Sequence, residues 1–112
     1  MTRGKVVAGL AAAVALSGLA FAQDAKVERG KAVYVEQKCK ICHSIAAEGN
    51  AKGSLDGVGT KLKAEEIKEW LANPKAMAEK SKAERKPPMK AFASLPAADA
   101  DALVAYLASL KK

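Results

Sequence analysis

The chain has 112 residues, with 19 basic against 12 acidic side chains and a formal net charge of +7. This length accommodates at most one small domain. A basic surplus favours an acidic partner, an anionic membrane surface or nucleic acid. The lysines are scattered, however, and no basic run is interleaved with aromatic residues. We therefore expect no nucleic-acid partner, and we interpret most of the lysines as ordinary solvated surface.

Residues 1–22 have the pattern of a secretory signal peptide. A short positive region, MTRGK, precedes an apolar run that ends in the small-residue pattern Ala20-Phe21-Ala22. We predict cleavage after Ala22, export to the periplasm and a single mature domain over residues 23–112. The alternative is an uncleaved membrane anchor, because the apolar run of 17 residues is at the lower edge of what spans a bilayer.

The predicted mature domain is short of large apolar side chains. After Ala22 the chain contains only 21 Val, Ile, Leu, Met, Phe, Tyr and Trp residues, and most of the other apolar residues are alanine. A domain of this size buries a modest fraction of its surface and often needs a disulfide, a metal or a cofactor. We therefore expect a bound group to complete the core.

The first half of this domain is predicted to be one helix followed by a long loop. The helix begins with Asp24 as its N-cap and places Val27, Gly30 and Tyr34 on one face. Residues 39 to about 63 are polar and contain four glycines, which is typical of a loop. Runs of alternating β-branched residues are absent from the sequence, so no strand is predicted.

Two short helices follow, and both have recognisable starts. AEEIKEWLA, residues 64–72, carries two glutamates in its first turn, and its apolar stripe consists of Ile67, Trp70 and Leu71. Asn73 is predicted to cap the next helix, and Pro74 suits the first helical position.

The last part of the chain is predicted to be an extended loop and a final helix. Pro87 and Pro88 forbid regular helix and stiffen the loop. The final helix covers residues 96–110 and has no good cap at Leu95-Pro96. Its apolar stripe follows helical spacing and consists of Leu103, Tyr106, Leu107 and Leu110. The predicted class is all-α.

The sequence KCKICHS brings Cys39, Cys42 and His43 together, and three interpretations compete for them. A structural zinc site normally takes four Cys or His ligands, and this chain has only two cysteines and one histidine. A thioredoxin-like pair expects a βαβ setting, which is missing. The third interpretation is covalent attachment of haem, whose signature is C-x-x-C-H. We favour it, because the motif, the export signal and the small core all indicate a cofactor. His43 is then the proximal ligand of the haem iron.

The sixth iron position has two methionine candidates after residue 22. Met77 lies in a predicted helix, where methionine is most often core filler. Met89 follows Pro87-Pro88 in an irregular loop, where packing alone gives little reason for a large apolar side chain. We therefore favour Met89 as the distal ligand. A methionine paired with histidine raises the reduction potential and suits electron transfer, whereas an open position admits gases or peroxide.

At these residues the chain resembles the small bacterial class I cytochromes c, over nearly all of residues 24–110. Gly30 and Tyr34 have the spacing at which that family packs its first helix against its last, here at Leu103 and Tyr106. Gly30 would allow the two helices to cross closely, with Tyr106 laid over it. The resemblance implies a class I cytochrome c fold, in which three to five short helices surround one covalently bound haem c.

The resemblance extends to the distal side. "EWLANP" resembles the family's helix before the methionine loop, which implies that Trp70 packs near the haem, and we expect the same of Tyr34. "PPMKAF" resembles the methionine loop itself, which again assigns Met89 as the distal ligand. Where the family often has Gly-Pro, this chain has Gly53-Ser54, so the acceptor for the His43 N–H is expected in the backbone near Ser54 or elsewhere.

The family resemblance implies a soluble one-electron carrier, for example in a respiratory chain, and we expect a monomer that is not an enzyme and has no small-molecule substrate. Lys38 and Lys40 flank Cys39, while Lys86 and Lys90 flank Met89. We interpret these four lysines as a docking ring for an acidic reductase or terminal oxidase, although they could serve solubility alone.

Two alternatives to a soluble carrier stay open. One is a haem-based gas sensor or peroxidase-like protein whose methionine ligand is labile. The other is a membrane-tethered cytochrome domain that serves one complex, if the N-terminal segment is not cleaved.

Overall fold

A computed structural model describes residues 21–112, and most of this part of the chain is helical. Residues 21–112 contain five α-helices, which are α1 (residues 21–36), α2 (Val58–Lys61), α3 (Ala64–Ala72), α4 (Pro74–Ser81) and α5 (Ala97–Ala108). The all-α prediction is confirmed. The predicted signal peptide lies almost entirely outside the described residues. Within residues 21–112 we find no helix with the length and hydropathy that a membrane span requires.

Helix α1 does not begin at Asp24, so the predicted cap is wrong. Residues 21–23 are already helical, and Asp24 is therefore an interior residue. A helix that begins earlier supplies backbone carbonyls to the amides that follow Asp24, and these amides need no side-chain acceptor. The predicted apolar face is present, because Gly30 and Tyr34 are buried and Val27 is half-buried.

Helices α1 and α5 cross closely at Gly30, as predicted. A Cβ atom built on Gly30 would lie 2.5 Å from the Tyr106 Cβ and 2.8 Å from the Ala102 carbonyl carbon. The Arg29 guanidinium joins the two helices at the surface, donating to Asp99 at 3.0 Å and to Glu36 at 3.1 Å. Glycine is required at this crossing because the space for a side chain is filled by the partner helix.

The core lies between α1, α3 and α5. Its most buried side chains are Val33 from α1 and Leu103 from α5, at 0% and 1% exposure. Ile67 and Leu71, two of the three residues predicted for the α3 stripe, are buried against them, together with Leu107. Several half-buried residues surround this cluster, and they include Cys39 and Met89.

The segment predicted as one long loop contains short regular elements. Two-residue strands, β1 (Ser44–Ile45) and β2 (Glu48–Gly49), pair antiparallel, and single turns of 3-10 helix cover Cys39–Ile41 and Ala51–Gly53. Helix α2 also falls within it. Its Gly59 amide donates to the Leu110 carbonyl oxygen at 2.9 Å, which fixes α2 against the chain after α5. Elements this short carry no periodicity that sequence could reveal.

Helix α4 begins where predicted, but without the predicted cap. Pro74 occupies its first turn, whereas the Asn73 side chain makes no capping bond and instead approaches Glu69 at 3.5 Å. Asn73 also ends α3, and its φ of −134° and ψ of 62° suit that shared position. Helix α5 has no side-chain cap, as expected, and ends at Ala108, two residues before the predicted end.

Candidate haem site

The CKICH motif turns directly out of the C-terminus of α1. Lys38 has left-handed backbone geometry with a φ of 58°, and Cys39–Ile41 then form the 3-10 turn. The amides of Cys42 and His43 both donate to the Cys39 carbonyl oxygen, at 3.1 and 2.9 Å. Both thiols are free, with Cys39 half-buried and Cys42 exposed. One tight segment therefore presents two thiols and an imidazole.

Asn50, which directly follows β2, stabilises the conformation of this segment through hydrogen bonds. Its backbone amide donates to the carbonyl oxygens of Lys40 at 3.1 Å and His43 at 3.0 Å. Its side-chain amide donates to the Ile41 carbonyl oxygen at 3.2 Å. Sequence analysis missed Asn50, because nothing in its local pattern connects it to the motif.

The His43 ring is oriented by a backbone carbonyl. Its Nδ1 lies 2.9 Å from the Gly53 oxygen, which can only accept, so Nδ1 carries the hydrogen. Burial lowers the pKa of His43, the Gly53 bond raises it, and the charge of Arg85 lowers it. The neutral ring then has an unprotonated Nε2, which is the form that binds a metal ion. The acceptor was expected near Ser54, and it is the preceding residue.

Met89 lies in the extended segment between α4 and α5. It is half-buried against the hydrophobic core, and nearby the Phe92 amide donates to the Leu71 carbonyl oxygen at 2.7 Å. Met77 is also half-buried, on α4, but within residues 21–112 it is not among the side chains packed on that core. This difference favours Met89 over Met77.

The Met89 segment lies beside the CKICH motif. Burial raises the pKa of the Cys39 thiol, and the nearby charge of Lys90 lowers it. Cys42 of the motif and Lys86 of the Met89 segment both line one cavity, whose volume is about 430 Å³. Residues predicted from two distant parts of the sequence are therefore brought together.

A scan against protein-family models matches the cytochrome c family over residues 27–111, which is most of the chain. The chain belongs to the cytochrome c family. Membership implies a haem-based electron carrier, and the spacing of Cys39 and Cys42 implies a covalent haem c. No curated protein matches the chain significantly, and no solved structure does.

The donors that this cytochrome presents fit a c-type haem. The two thiols are free of each other, the neutral His43 leaves Nε2 available, and the Met89 thioether lies at the edge of the apolar core. Thioether attachment, an imidazole and a methionine sulfur are the donor set of cytochromes c with histidine and methionine ligands. The roles of the individual ligands stay predictions.

The two aromatic residues expected beside the haem have different surroundings. Tyr34 is buried and stands edge to face with Tyr106, their ring centroids 6.0 Å apart. Its hydroxyl is buried and has no hydrogen-bond partner within the described part of the chain, and desolvation raises the pKa of Tyr34 to about 12. Trp70 is half-buried on α3 and lies outside the packed core. Haem packing by either residue stays a prediction.

The four lysines predicted for docking are all exposed. Lys90 stands over the Phe92 ring, with its Nζ 5.1 Å from the ring centroid, and Lys86 lines the cavity next to Cys42. Lys38 and Lys40 flank Cys39 in the motif itself. Two lysines from each segment are thus available at the solvent side of the site, and docking stays a prediction.

Proposed function

We propose that this cytochrome is a one-electron carrier that works in the periplasm, with His43 and Met89 as the iron ligands. The observation that carries the proposal is the His43–Gly53 bond, because it leaves Nε2 of a neutral, half-buried imidazole available beside the two thiols. A c-type haem held here supplies reversible one-electron chemistry at its iron.

Each residue would have a defined part in that chemistry. Cys39 and Cys42 would hold the cofactor through thioether bonds. Gly53 would keep the His43 ring in one orientation, and an ordered ligand limits the rearrangement that accompanies electron transfer. The methionine sulfur of Met89 would favour a high reduction potential. Because His43 and Met89 would then both be bound to the iron, the chain would leave no iron position for a substrate.

The absorption spectrum of the haem-loaded, oxidised protein tests this proposal. We expect the weak far-red band of sulfur-to-iron charge transfer, and we expect Met89→Ala to abolish it. Met77→Ala is the matched control and should retain the band. A high-spin spectrum of the unmodified protein that shifts with carbon monoxide or cyanide would contradict the proposal. The gas-sensor or peroxidase-like alternative would then be favoured.

We also propose that Lys38, Lys40, Lys86 and Lys90 dock an acidic redox partner such as a cytochrome reductase or terminal oxidase. Charges near a contact steer association and make its rate sensitive to salt. The double variant Lys86→Glu, Lys90→Glu should slow reduction by such a partner, more at low than at high ionic strength.

The control for docking carries two charge reversals at exposed positions elsewhere, Lys26→Glu and Lys68→Glu. It should change the rate less, because these lysines lie on α1 and α3 rather than beside the motif or Met89. Equal rates for both double variants at low ionic strength would show that only net charge matters.

Export and cleavage after Ala22 complete the proposal. N-terminal sequencing tests this: the sequence of the protein isolated from the periplasm should begin at Gln23. An intact N-terminus in the membrane fraction would instead favour the tethered cytochrome domain.

A further inference from the structure

His43 and the three residues after it run beside residues 53–56. Ser44 and Ser54 form a parallel bridge between the two segments. Three hydrogen bonds connect them: from His43 Nδ1 to the Gly53 oxygen at 2.9 Å, from the Leu55 amide to the Ser44 oxygen at 2.8 Å, and from the Ala46 amide to an Asp56 carboxylate oxygen at 2.8 Å. We refer to these three bonds as the proximal ladder.

Asp56 supplies the one bond of the proximal ladder whose acceptor is a side chain. A carboxylate that accepts from an amide forms a charge-assisted hydrogen bond, which is stronger than a bond between neutral groups. The amide belongs to Ala46, which with Ala47 has left-handed backbone geometry, at φ values of 52° and 69°. Alanine adopts this geometry at a cost, so the turn persists because its surroundings hold it. The Asp56 bond is a contact that holds the start of this turn.

The Asp56 carboxylate is itself held in place. The Ser54 hydroxyl donates to its second oxygen at 3.3 Å and accepts from the Asp56 amide at 3.3 Å. Asp56 and Gly57 lie in a tight turn, which the Val58 amide closes by donating to the Leu55 carbonyl oxygen at 3.0 Å. Asp56 is half-buried and takes part in none of the ion pairs formed within residues 21–112. Its carboxylate is therefore committed to the hydrogen bonds of this segment.

We propose that Asp56 is a positioning residue for the proximal imidazole and acts through residues 53–56. Its bond to the Ala46 amide closes the proximal ladder at the end opposite His43, and this keeps the Gly53 carbonyl on Nδ1. The inference rests on the proposed function, in which Nε2 of His43 binds the haem iron. A hydrogen bond from Nδ1 fixes the orientation of a ligating imidazole and makes it a stronger donor to the metal. Asp56 would thus act on the iron without touching the cofactor.

Exchange of the His43 Nδ1 proton with solvent measures this positioning. Proton NMR of the reduced, haem-loaded protein in deuterium oxide follows the loss of that resonance. Loss of one hydrogen bond raises the population of locally opened forms by a factor of about five to ten. Asp56→Ala, which removes the acceptor, should speed exchange by this factor. Asp56→Asn keeps an acceptor oxygen and loses only the charge, so it should give a smaller increase.

Two further variants make the measurement specific. Asp101→Ala removes a carboxylate from an exposed position on α5, outside the proximal ladder, and it should leave exchange unchanged. Ser54→Ala leaves the Asp56 carboxylate but removes one of its donors, so it should speed exchange less than Asp56→Ala does. Ser54→Ala also decides the matter if Asp56→Ala does not hold haem. Denaturant unfolding of each variant shows whether a faster exchange exceeds the change in global stability.

The midpoint potential separates positioning from charge. Desolvation is the largest cause of the raised pKa of Tyr34, and the charges of Cys39 and Asp56 add to it, so the Asp56 carboxylate acts close to the site. Removal of a nearby negative charge favours the reduced iron, and both Asp56 variants should therefore raise the potential. A weaker Nδ1 bond makes the imidazole a poorer donor, which favours the reduced iron further. We therefore expect a larger rise in Asp56→Ala than in Asp56→Asn.

Three results would overturn the inference. One is exchange in Asp56→Ala that is no faster than in Asp101→Ala. Another is an equal rise in potential in both Asp56 variants with unchanged exchange, which would leave Asp56 an electrostatic role only. The third, if Asp56→Ala does not hold haem, is unchanged exchange in Ser54→Ala. Absence of the far-red band from the unmodified protein would instead contradict the proposed function, because that band reports Met89 rather than the proximal side.

Discussion

Replacement of Gly30 by alanine tests the contact on which the α1–α5 packing depends. The added Cβ would lie 2.5 Å from the Tyr106 Cβ and 2.8 Å from the Ala102 carbonyl carbon. Ordinary contacts between carbon atoms are about 3.5–4.0 Å. The atoms that must give way are backbone atoms of Ala102 and the Cβ of Tyr106, so a rotamer change cannot relieve the overlap. The helices have to separate.

Two opposing terms set the magnitude of this effect. Alanine favours a helix interior over glycine by about 0.8–1.0 kcal/mol. Overpacking in a close contact costs about 1–3 kcal/mol and occasionally more. Because the overlap here involves backbone, the upper part of that range applies. We therefore expect Gly30→Ala to lower the free energy of unfolding by about 1–2 kcal/mol net.

Denaturant unfolding of the haem-loaded protein measures this difference. Lys31 is the adjacent exposed position in α1, and the pair Lys31→Ala and Lys31→Gly serves as the control. Both control variants lose the same contact with Glu28, so their difference reports helix preference alone, and alanine should be the more stable by about 1 kcal/mol. If Gly30→Ala is as stable as the parent or more so, the close crossing does not limit the packing of α1 on α5.

Three further substitutions test single features by the same unfolding measurement. Tyr34→Phe removes a buried hydroxyl that has no hydrogen-bond partner in residues 21–112, so we expect the free energy of unfolding to be unchanged or raised by about 1 kcal/mol. A lower free energy of unfolding would mean that the hydroxyl is hydrogen-bonded in the haem-loaded protein. Asn50→Ala removes two side-chain hydrogen bonds and should cost about 1–2 kcal/mol, whereas Asn50→Asp, which keeps only the acceptor, should cost less. Gly53→Ala should lower the free energy of unfolding by about 1–3 kcal/mol, because its Cβ would meet the Cys42 carbonyl oxygen and Arg85. An unchanged free energy of unfolding would mean that the backbone around Gly53 can shift to accommodate the methyl group.

The helices were predictable where a repeating apolar stripe was long enough to define a face. Helix α3 has the predicted bounds, and α5 differs from its predicted range by one residue at its start and two at its end. The failures concern single side chains at helix ends. Asp24 and Asn73 are both good capping residues, but neighbouring backbone satisfies the amides at Asp24, and Asn73 shares its position with the end of α3. Capping propensity alone does not say whether an amide needs a partner.

The residues that carry the donor atoms of the site were predictable, but the residues that hold them in position were not. Cys39, Cys42 and His43 are contiguous in sequence, and Met89 follows a pair of prolines that marks the loop. Asn50 and Gly53, in contrast, act through hydrogen bonds with residues of the motif, which the chain reversal between β1 and β2 brings close to them. Such contacts join residues that no local sequence pattern relates. Arg85 was not predicted from the sequence, because its position against Gly53 depends on tertiary structure.

The small core explains why the site and the fold depend on each other. Within residues 21–112 only Val33 and Leu103 are large side chains that are fully buried, so the core is small. Cys39 and Met89 pack on that same cluster, one from the end of α1 and the other from the segment before α5. A change that separates α1 from α5 therefore moves the attachment thiol relative to the methionine. For this reason Gly30→Ala should weaken the far-red band of the methionine ligand as well as stability, although Gly30 is part of neither the motif nor the Met89 segment.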